Sequence, residues 1–309
     1  MEGLKAKKVA VLYGGRSSER EVSLRSGAAI HQALVARGYD AALLDVGLDV
    51  AERLRAMKAE VAFIGLHGRY GEDGCIQGLL ESLAIPYTGS GVLASALGMD
   101  KVASKQVFLA RGIPTPAYRV LSREQARNAS AADLPFPLPA VVKPNAEGSS
   151  VGVHIVKTPA EYTAACADAA RYRGDVLVER YVKGREIQCA VLDDEALGSI
   201  EIRPAREFYD YVAKYNSGGT TQYLFPAPIP QEMETRVREI TLAAHRALGC
   251  AGATRTDLIL TESGEVTVLE VNTLPGMTET SLLPKIAGGR GLSFEDLCER
   301  ILAGASLKA

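Results

Sequence analysis

With 309 residues, 47% of them hydrophobic and 23% charged, the chain has the make-up of a globular protein with room for two or three domains, each with its own core. A formal net charge of −2 supplies no field that would draw nucleic acid or an anionic membrane, so bound phosphate must be held by local cations. No apolar run is long enough to span a bilayer or to act as a secretory core, and the scattered Cys75, Cys166, Cys189, Cys250 and Cys298 lack zinc-ligand spacing, which points to a reducing, cytoplasmic setting.

Residues 1–98 alternate strand and helix in the manner of a parallel α/β sheet. Strands are predicted at 8–12, 41–46 and 61–66, and helices at 24–37, 50–57 and 75–83. Gly14-Gly15-Arg16-Ser17-Ser18-Glu19 follows the first strand and His67-Gly68-Arg69 the third, at the strand ends where open α/β sheets bind ligands. The first segment lacks the Gly-x-Gly-x-x-Gly pattern, and Glu19, Arg20 and Glu21 read equally as the charged first turn of a helix. His67 reads first as a hydrogen-bonded structural residue. A helix is predicted at 99–110, with Lys101 and Lys105 on a solvated face, and Arg111-Gly112-Ile113-Pro114-Thr115-Pro116 breaks it. From 117 to about 181 runs a second α/β unit: strand, helix, strand, glycine-rich loop, strand, helix, strand. Strands near 185–202, an aromatic loop at 208–223, a helix at 231–248 and a hairpin at 255–272 complete the reading.

Three segments carry chemistry. A strand ending at Lys143 enters Pro144-Asn145-Ala146-Glu147-Gly148-Ser149-Ser150-Val151-Gly152; small residues let backbone N–H groups approach phosphate oxygens, and the lysine adds a point charge. This is not a Walker A loop, and a plain glycine-rich turn with a surface lysine fits as well. Glu179 and Glu186 flank a strand–turn–strand, where carboxylates suit ribose hydroxyls or an adenine amino group, or are simply solvated. The segment 208–223 fits neither helix nor strand period; its four tyrosines and Lys214 suggest a lid, with an exposed loop as the alternative. In the hairpin, a two-residue turn at Ser263-Gly264 would set Asp257 opposite Glu270 and Arg255 opposite Asn272, all on one face. Leu258, Leu260, Leu269 and Val271 would occupy the other face, while Ile259 and Val268 among the acids imply burial on both sides. Two carboxylates and an amide oxygen there suit Mg²⁺ beside nucleotide phosphates, and buried acids require a metal or a partner.

Seven blocks then extend the pattern along the chain: Gly-Gly-Arg-Ser-Ser-Glu-Arg-Glu-Val-Ser (14–23), Leu-His-Gly-Arg-Tyr-Gly-Glu-Asp-Gly (66–74), Pro-Tyr-Thr-Gly-Ser-Gly-Val (86–92), Met-Asp-Lys (99–101), Lys-Pro-Asn-Ala-Glu-Gly-Ser-Ser-Val-Gly (143–152), Phe-Tyr-Asp-Tyr-Val-Ala-Lys-Tyr (208–215) and Glu-Val-Asn-Thr-Leu-Pro-Gly-Met-Thr (270–278). On these the chain resembles the ATP-grasp enzymes, and within them the D-alanine–D-alanine ligases, nearly end to end. The resemblance implies an α/β fold, α+β in its ATP-binding part. An N-terminal parallel-sheet pre-ATP-grasp domain (1–98) would precede a two-lobed ATP-grasp fold, with a central lobe (99–181) carrying the glycine-rich loop and a C-terminal lobe (182–309) carrying the metal site and lid. It implies ATP-dependent joining of two D-alanine molecules through an acyl phosphate for peptidoglycan precursor synthesis, with ATP as co-substrate and two Mg²⁺ ions, replaceable by Mn²⁺. The expected partners are D-alanine, ATP and a second copy in a homodimer, with no nucleic acid and no membrane.

The resemblance also implies roles for individual residues. Lys101, Lys143 and Lys214 would contact ATP phosphates; Glu179, Val182 and Glu186 would hold adenine and ribose, with Arg180 and Tyr209 in the same nucleotide site. Asp257, Glu270 and Asn272 would bind the metal ions. Glu19 would receive the ammonium of the first D-alanine in a group with Ser149 and Tyr215, near His67. Ser281 and Leu282 would fix the second carboxylate, and Arg255 with the Gly276 N–H would face the oxyanion. Arg180 stands where a lysine is common, which keeps the charge and changes the geometry; Cys75 replaces a usual threonine, and Gly218-Gly219 lengthens the 214–223 loop by a residue. A ligase for another amino acid, a regulatory nucleotide-binding protein and a Rossmann NAD enzyme are the competing readings, the last disfavoured by the missing fingerprint.

Overall fold

The structure, a computed structural model, describes residues 2–203 and 221–308. A short helix, α1 (Glu2–Lys5), precedes β1 (Lys8–Tyr13). Then come α2 (Arg20–Ala36), β2 (Asp40–Asp45), α3 (Val50–Ala56), β3 (Val61–Ile64) and α4 (Cys75–Ser82). The strands form a parallel sheet in the order β2-β1-β3, and the apolar runs of β1 and β3 are buried on both faces, as helix-covered parallel strands require. The alternation expected from the sequence is present. Helix α2 begins four residues earlier than its apolar periodicity indicated, taking in the charged turn, and Arg20 pairs with Asp45 at 2.6 Å.

The helix predicted at 99–110 is α6 (Lys101–Ala110), and a further helix that was not expected, α5 (Val92–Met99), precedes it. Asp100 divides them, because its extended backbone lets its side chain accept the Ala103 N–H at 2.9 Å and cap α6. Next follow β4 (Tyr118–Leu121), α7 (Arg123–Arg127), β5 (Ala140–Pro144), β6 (His154–Val156), α8 (Pro159–Ala169) and β7 (Val176–Arg180). The element order matches the sequence reading, and the sheet β4-β7-β5-β6 is antiparallel throughout, as the α+β character implied for this part requires; the glycine-rich segment folds back as a hairpin between β5 and β6.

The third sheet, β10-β9-β8-β11-β12, is antiparallel and contains β8 (Arg185–Leu192), β9 (Glu195–Arg203), β10 (Gln222–Leu224), β11 (Ala253–Leu260) and β12 (Val266–Asn272). Strand β10 occupies the end of the segment read as loop across 208–223; Tyr209, Lys214 and Tyr215 lie outside the described residues. Helix α9 (Gln231–Ala247) packs Val237 and Ala244 on Ile187, Leu258 and Val268 of this sheet. Helices α10 (Leu282–Gly289) and α11 (Phe294–Ala303) end the described chain, and their Ile286, Leu297 and Leu302 share one core with Val9 and Ile30 and with Leu192 of β8. The last helices thus fasten the first sheet to the third.

The β11–β12 hairpin departs from expectation in an instructive way. Thr261 N–H bonds to Glu265 O, leaving Glu262, Ser263 and Gly264 as a three-residue loop with Gly264 at φ +82°, not a two-residue turn. The longer loop pairs Leu258 with Val268; a bulge at Leu269 then restores the register, so Asp257 faces Glu270 and Arg255 faces Asn272 after all. The bulge also exchanges two side chains. Val268 joins Leu258 in the core, and half-buried Leu269 turns to the face that carries the acids.

Candidate active site

Two cavities meet where the three sheets converge. The larger, about 460 Å³, lies between the second and third sheets. Val141 and Ile155 form one apolar wall and Ile202, Ile259 and Leu269 the other, a slot suited to a flat ring; Lys143, Glu179, Arg180, Val182 and Glu186 also line it. The smaller, about 120 Å³, is bounded by Glu19, His67, Ser149, Arg255, Asn272, Gly276, Ser281 and Leu282. Lys101, Glu147, Gly148 and Glu270 line both cavities and form a shared wall.

Glu19 stands at the head of α2, and its carboxylate accepts a hydrogen bond from Ser149 Oγ across the gap between the first and second sheets. Ser149 and Ser150 hold φ of +52° and +60°, a left-handed conformation uncommon outside glycine and concentrated at ligand sites. His67, 7% exposed, contacts Ser26 Oγ at 3.0 Å through Nε2 and has Glu72 Oε1 at 4.0 Å from Nδ1, so it is both a hydrogen-bonded structural residue and a wall of the smaller cavity. Ser26 Oγ also accepts the Met277 N–H at 3.3 Å, which ties the first sheet to the Gly276 turn. Ser281 Oγ accepts the Thr278 N–H at 3.0 Å and does not cap α10, and among the described residues no side-chain cap takes the first-turn N–H groups, which suit an anion. A Cβ on Gly276 would stand 2.6 Å from that hydroxyl, so a side chain at 276 would displace Ser281 Oγ.

On the third sheet, Arg255 forks Asp257 at 2.8 and 3.2 Å, and Gln188 Nε2 donates to Asp257 Oδ2 at 3.1 Å. Lys101 Nζ donates to Glu147 O at 2.6 Å and lies 3.6 Å from Glu270 Oε2, while Asn272 Oδ1 accepts the Leu274 N–H at 3.0 Å. The donor set of Asp257, Glu270 and Asn272 has the hard oxygen chemistry of a Mg²⁺ site. Among the described residues no group of three or more His, Cys, Asp or Glu side chains assembles, so a divalent ion here would rely on this pair of acids with an amide.

The solvated face expected for Lys101 and Lys105 is overturned. Asn145 folds over the start of α6, its Oδ1 accepting the Val102 N–H at 2.8 Å, and both lysines are buried. Lys105 Nζ lies 2.6 Å from Glu179 Oε1, and Lys143 Nζ lies 3.0 Å from Glu179 Oε2. Glu179 is therefore a buried, doubly paired anion and not a solvated one. Burial opposes its charge, but Lys143 and Lys105 outweigh burial and hold the carboxyl below its usual range. Burial drags the Lys105 ammonium down to about 8, with Glu179 pulling the other way.

Sequence reasoning missed Lys105, Gln188 and Glu147. Lys105 sits three residues before the fully buried Phe108, so helical spacing toward a core residue was the available signal. Gln188 lies in an apolar strand with no signal of its own.

Comparison with known proteins agrees with this geometry. The family model described as D-ala D-ala ligase C-terminus matches residues 107–303, and that described as D-ala D-ala ligase N-terminus matches residues 45–90. The chain is 63% identical over 303 residues to the D-alanine–D-alanine ligase of Anaeromyxobacter sp. (strain K), covering 98% of each. The solved D-alanine–D-alanine ligase from Bacillus anthracis complexed with ATP superposes with a TM-score of 0.84 at 36% identity over 97% of each chain. The VanG D-Ala:D-Ser ligase from Enterococcus faecalis does so at 0.82 and 32%, over 96% of this chain and 98% of that one. The chain therefore belongs to the D-alanine–D-alanine ligase family.

Proposed function

We propose that this protein is an ATP-dependent ligase that joins two D-alanine molecules into D-alanyl-D-alanine, releasing ADP and phosphate, and so supplies peptidoglycan precursor synthesis. The observation that carries the reading is the shared wall: Lys101 and Glu270 border both a slot shaped for a nucleotide base and a small polar cavity lined by an acid, an arginine and a helix start. A triphosphate lying along that wall would present its terminal phosphoryl group to a carboxylate in the smaller cavity.

The chemistry follows from the inertness of a carboxylate, which is a poor electrophile. Its oxygen attacks the γ-phosphorus and displaces ADP; the resulting acyl phosphate carries a good leaving group. The deprotonated amine of the second D-alanine attacks the acyl carbon, and the tetrahedral oxyanion collapses with loss of phosphate. Mg²⁺ held by Asp257, Glu270 and Asn272, in two ions and with Mn²⁺ as a substitute, would supply neutralisation of the polyphosphate charge. The chain's own residues do the rest. Lys101 and Lys143 bind phosphates, joined by Lys214; Glu179, Arg180, Val182 and Glu186, with Tyr209, enclose adenine and ribose. Glu19, with Ser149 and Tyr215, takes the first ammonium beside His67, and Ser281 with the start of α10 at Leu282 takes the second carboxylate. Arg255 and the Gly276 N–H face the developing oxyanion, where losing one such donor costs ~10²–10³ in rate.

The reading includes a cytoplasmic homodimer divided at 1–98, 99–181 and 182–309, a division supported by one sheet in each part. Among the described residues no helix is long and apolar enough to cross a membrane. The test is incubation with ATP, Mg²⁺ and D-alanine, L-alanine, D-serine or D-lactate. D-Alanine alone is expected to give ADP and dipeptide in equal amounts, and L-alanine neither. Preferential joining of D-serine or D-lactate to D-alanine would overturn the acceptor, and ADP without dipeptide would overturn the ligation.

A further inference from the structure

Glu179 lies between two ammonium groups, and all three side chains are buried: Lys105 is 0% exposed, Glu179 2% and Lys143 6%. One anion with two cations leaves one unbalanced positive charge in a buried place at the cavity wall, a costly arrangement unless a ligand brings the counter-charge. The nearby Glu270 carboxylate is engaged by Lys101. The two lysines are not equivalent. Lys143 borders the larger cavity, whereas Lys105 does not and is turned inward, donating to Thr115 Oγ1 at 2.7 Å. Thr115 in turn donates to Val268 O at 2.9 Å, the residue before the bulge that presents Leu269 and Glu270. Lys105 is therefore anchored from both the second and third sheets, with Glu179 as its ion-pair partner at 2.6 Å and the Tyr118 ring 5.6 Å from its Nζ.

We infer that Lys105 is a positioning residue for nucleotide binding: by neutralising Glu179 it leaves the charge of Lys143 for the polyphosphate. This rests on the nucleotide reading of the larger cavity. Without Lys105, Glu179 has Lys143 as its one buried partner, and a phosphate must compete with that ion pair.

The test measures the Kd of Mg²⁺-ADP by calorimetry, alongside steady-state kinetics, for the wild type, Lys105→Met, Glu179→Gln and the double variant. Lys105→Met is expected to raise the Kd on the order of tenfold to a hundredfold, the worth of a hydrogen bond to a charged group. The KM for ATP should rise more than kcat falls, with the KM for D-alanine unchanged. In the Glu179→Gln background no carboxylate remains to capture Lys143, so removing Lys105 should change the Kd by less than about threefold; that loss of effect is the coupling between the two residues that a double-mutant cycle reads. A lysine that merely holds the fold would cost as much in either background, and that result, or an unchanged Kd in Lys105→Met, overturns the inference. If Lys105→Met does not fold, Glu179→Gln against the double variant decides by the same threefold limit. A wild-type protein that fails to bind ADP overturns the functional reading itself; binding that is insensitive to Lys105 overturns this inference alone.

Discussion

Asp257 illustrates how single side chains set the terms of the site. It is 5% exposed, and its oxygens are held by Arg255 and Gln188, so the chain's own donors carry its charge without an ion. Glu270 is more open and faces Lys101 across 3.6 Å. Replacing Glu270 with Gln keeps the shape and removes the charge that draws a divalent ion. We expect Glu270→Gln to unfold near the wild-type temperature yet lose turnover on the order of a hundredfold or more, since even groups one shell beyond a metal cost ~10–100-fold. Wild-type turnover in that variant would contradict the metal assignment. At this scale the sequence spoke through residue type at strand ends and in small-residue loops: Lys143, Arg255 and the acid pair announced themselves. Lys105 and Gln188 did not, because what packs against them, and not their own neighbours in sequence, gives them their part.

Helix α9 offers a test of how elements are held. His245 is 1% exposed, and its Nδ1 contacts Thr254 Oγ1 on β11 at 2.8 Å. Burial pushes the imidazole below its ordinary value near 6.5. The folded protein therefore binds that proton more weakly than the unfolded chain, and the group's contribution is full above the ordinary value and drains as pH falls beneath it. Lowering the pH from about 7 to about 5.5, the span over which histidine titrates, should lower the unfolding temperature, and less steeply in His245→Gln. Equal slopes would show that His245 is not the titrating group. Element existence was largely readable from periodicity, and the departures have local causes. The cap at Asp100 starts α6 two residues later than expected, and the helix before it, 92–99, was not foreseen. The hairpin is the sharpest case: loop length and bulge each shift the register by one, and they cancel at the acids but not at Val268 and Leu269. Turn chemistry alone could not reveal the second shift.

The whole molecule brings together groups that are remote in the chain: Glu19 meets Ser149, and Ser26 meets Met277. Periodicity fixes which face of an element is apolar but not which element covers it, so the convergence of three sheets on one wall was legible only through the ordered blocks of the family resemblance. The helices after residue 281, which lock the first sheet to the third, drew no expectation at all. The central claim is that a phosphoryl group crosses that wall to a carboxylate. It is tested most directly with D-alanine labelled with ¹⁸O in its carboxylate, followed by mass analysis of the phosphate released as dipeptide forms. The account expects one labelled oxygen in each phosphate, because the carboxylate oxygen that attacks phosphorus leaves with it; dipeptide accompanied by unlabelled phosphate would contradict it.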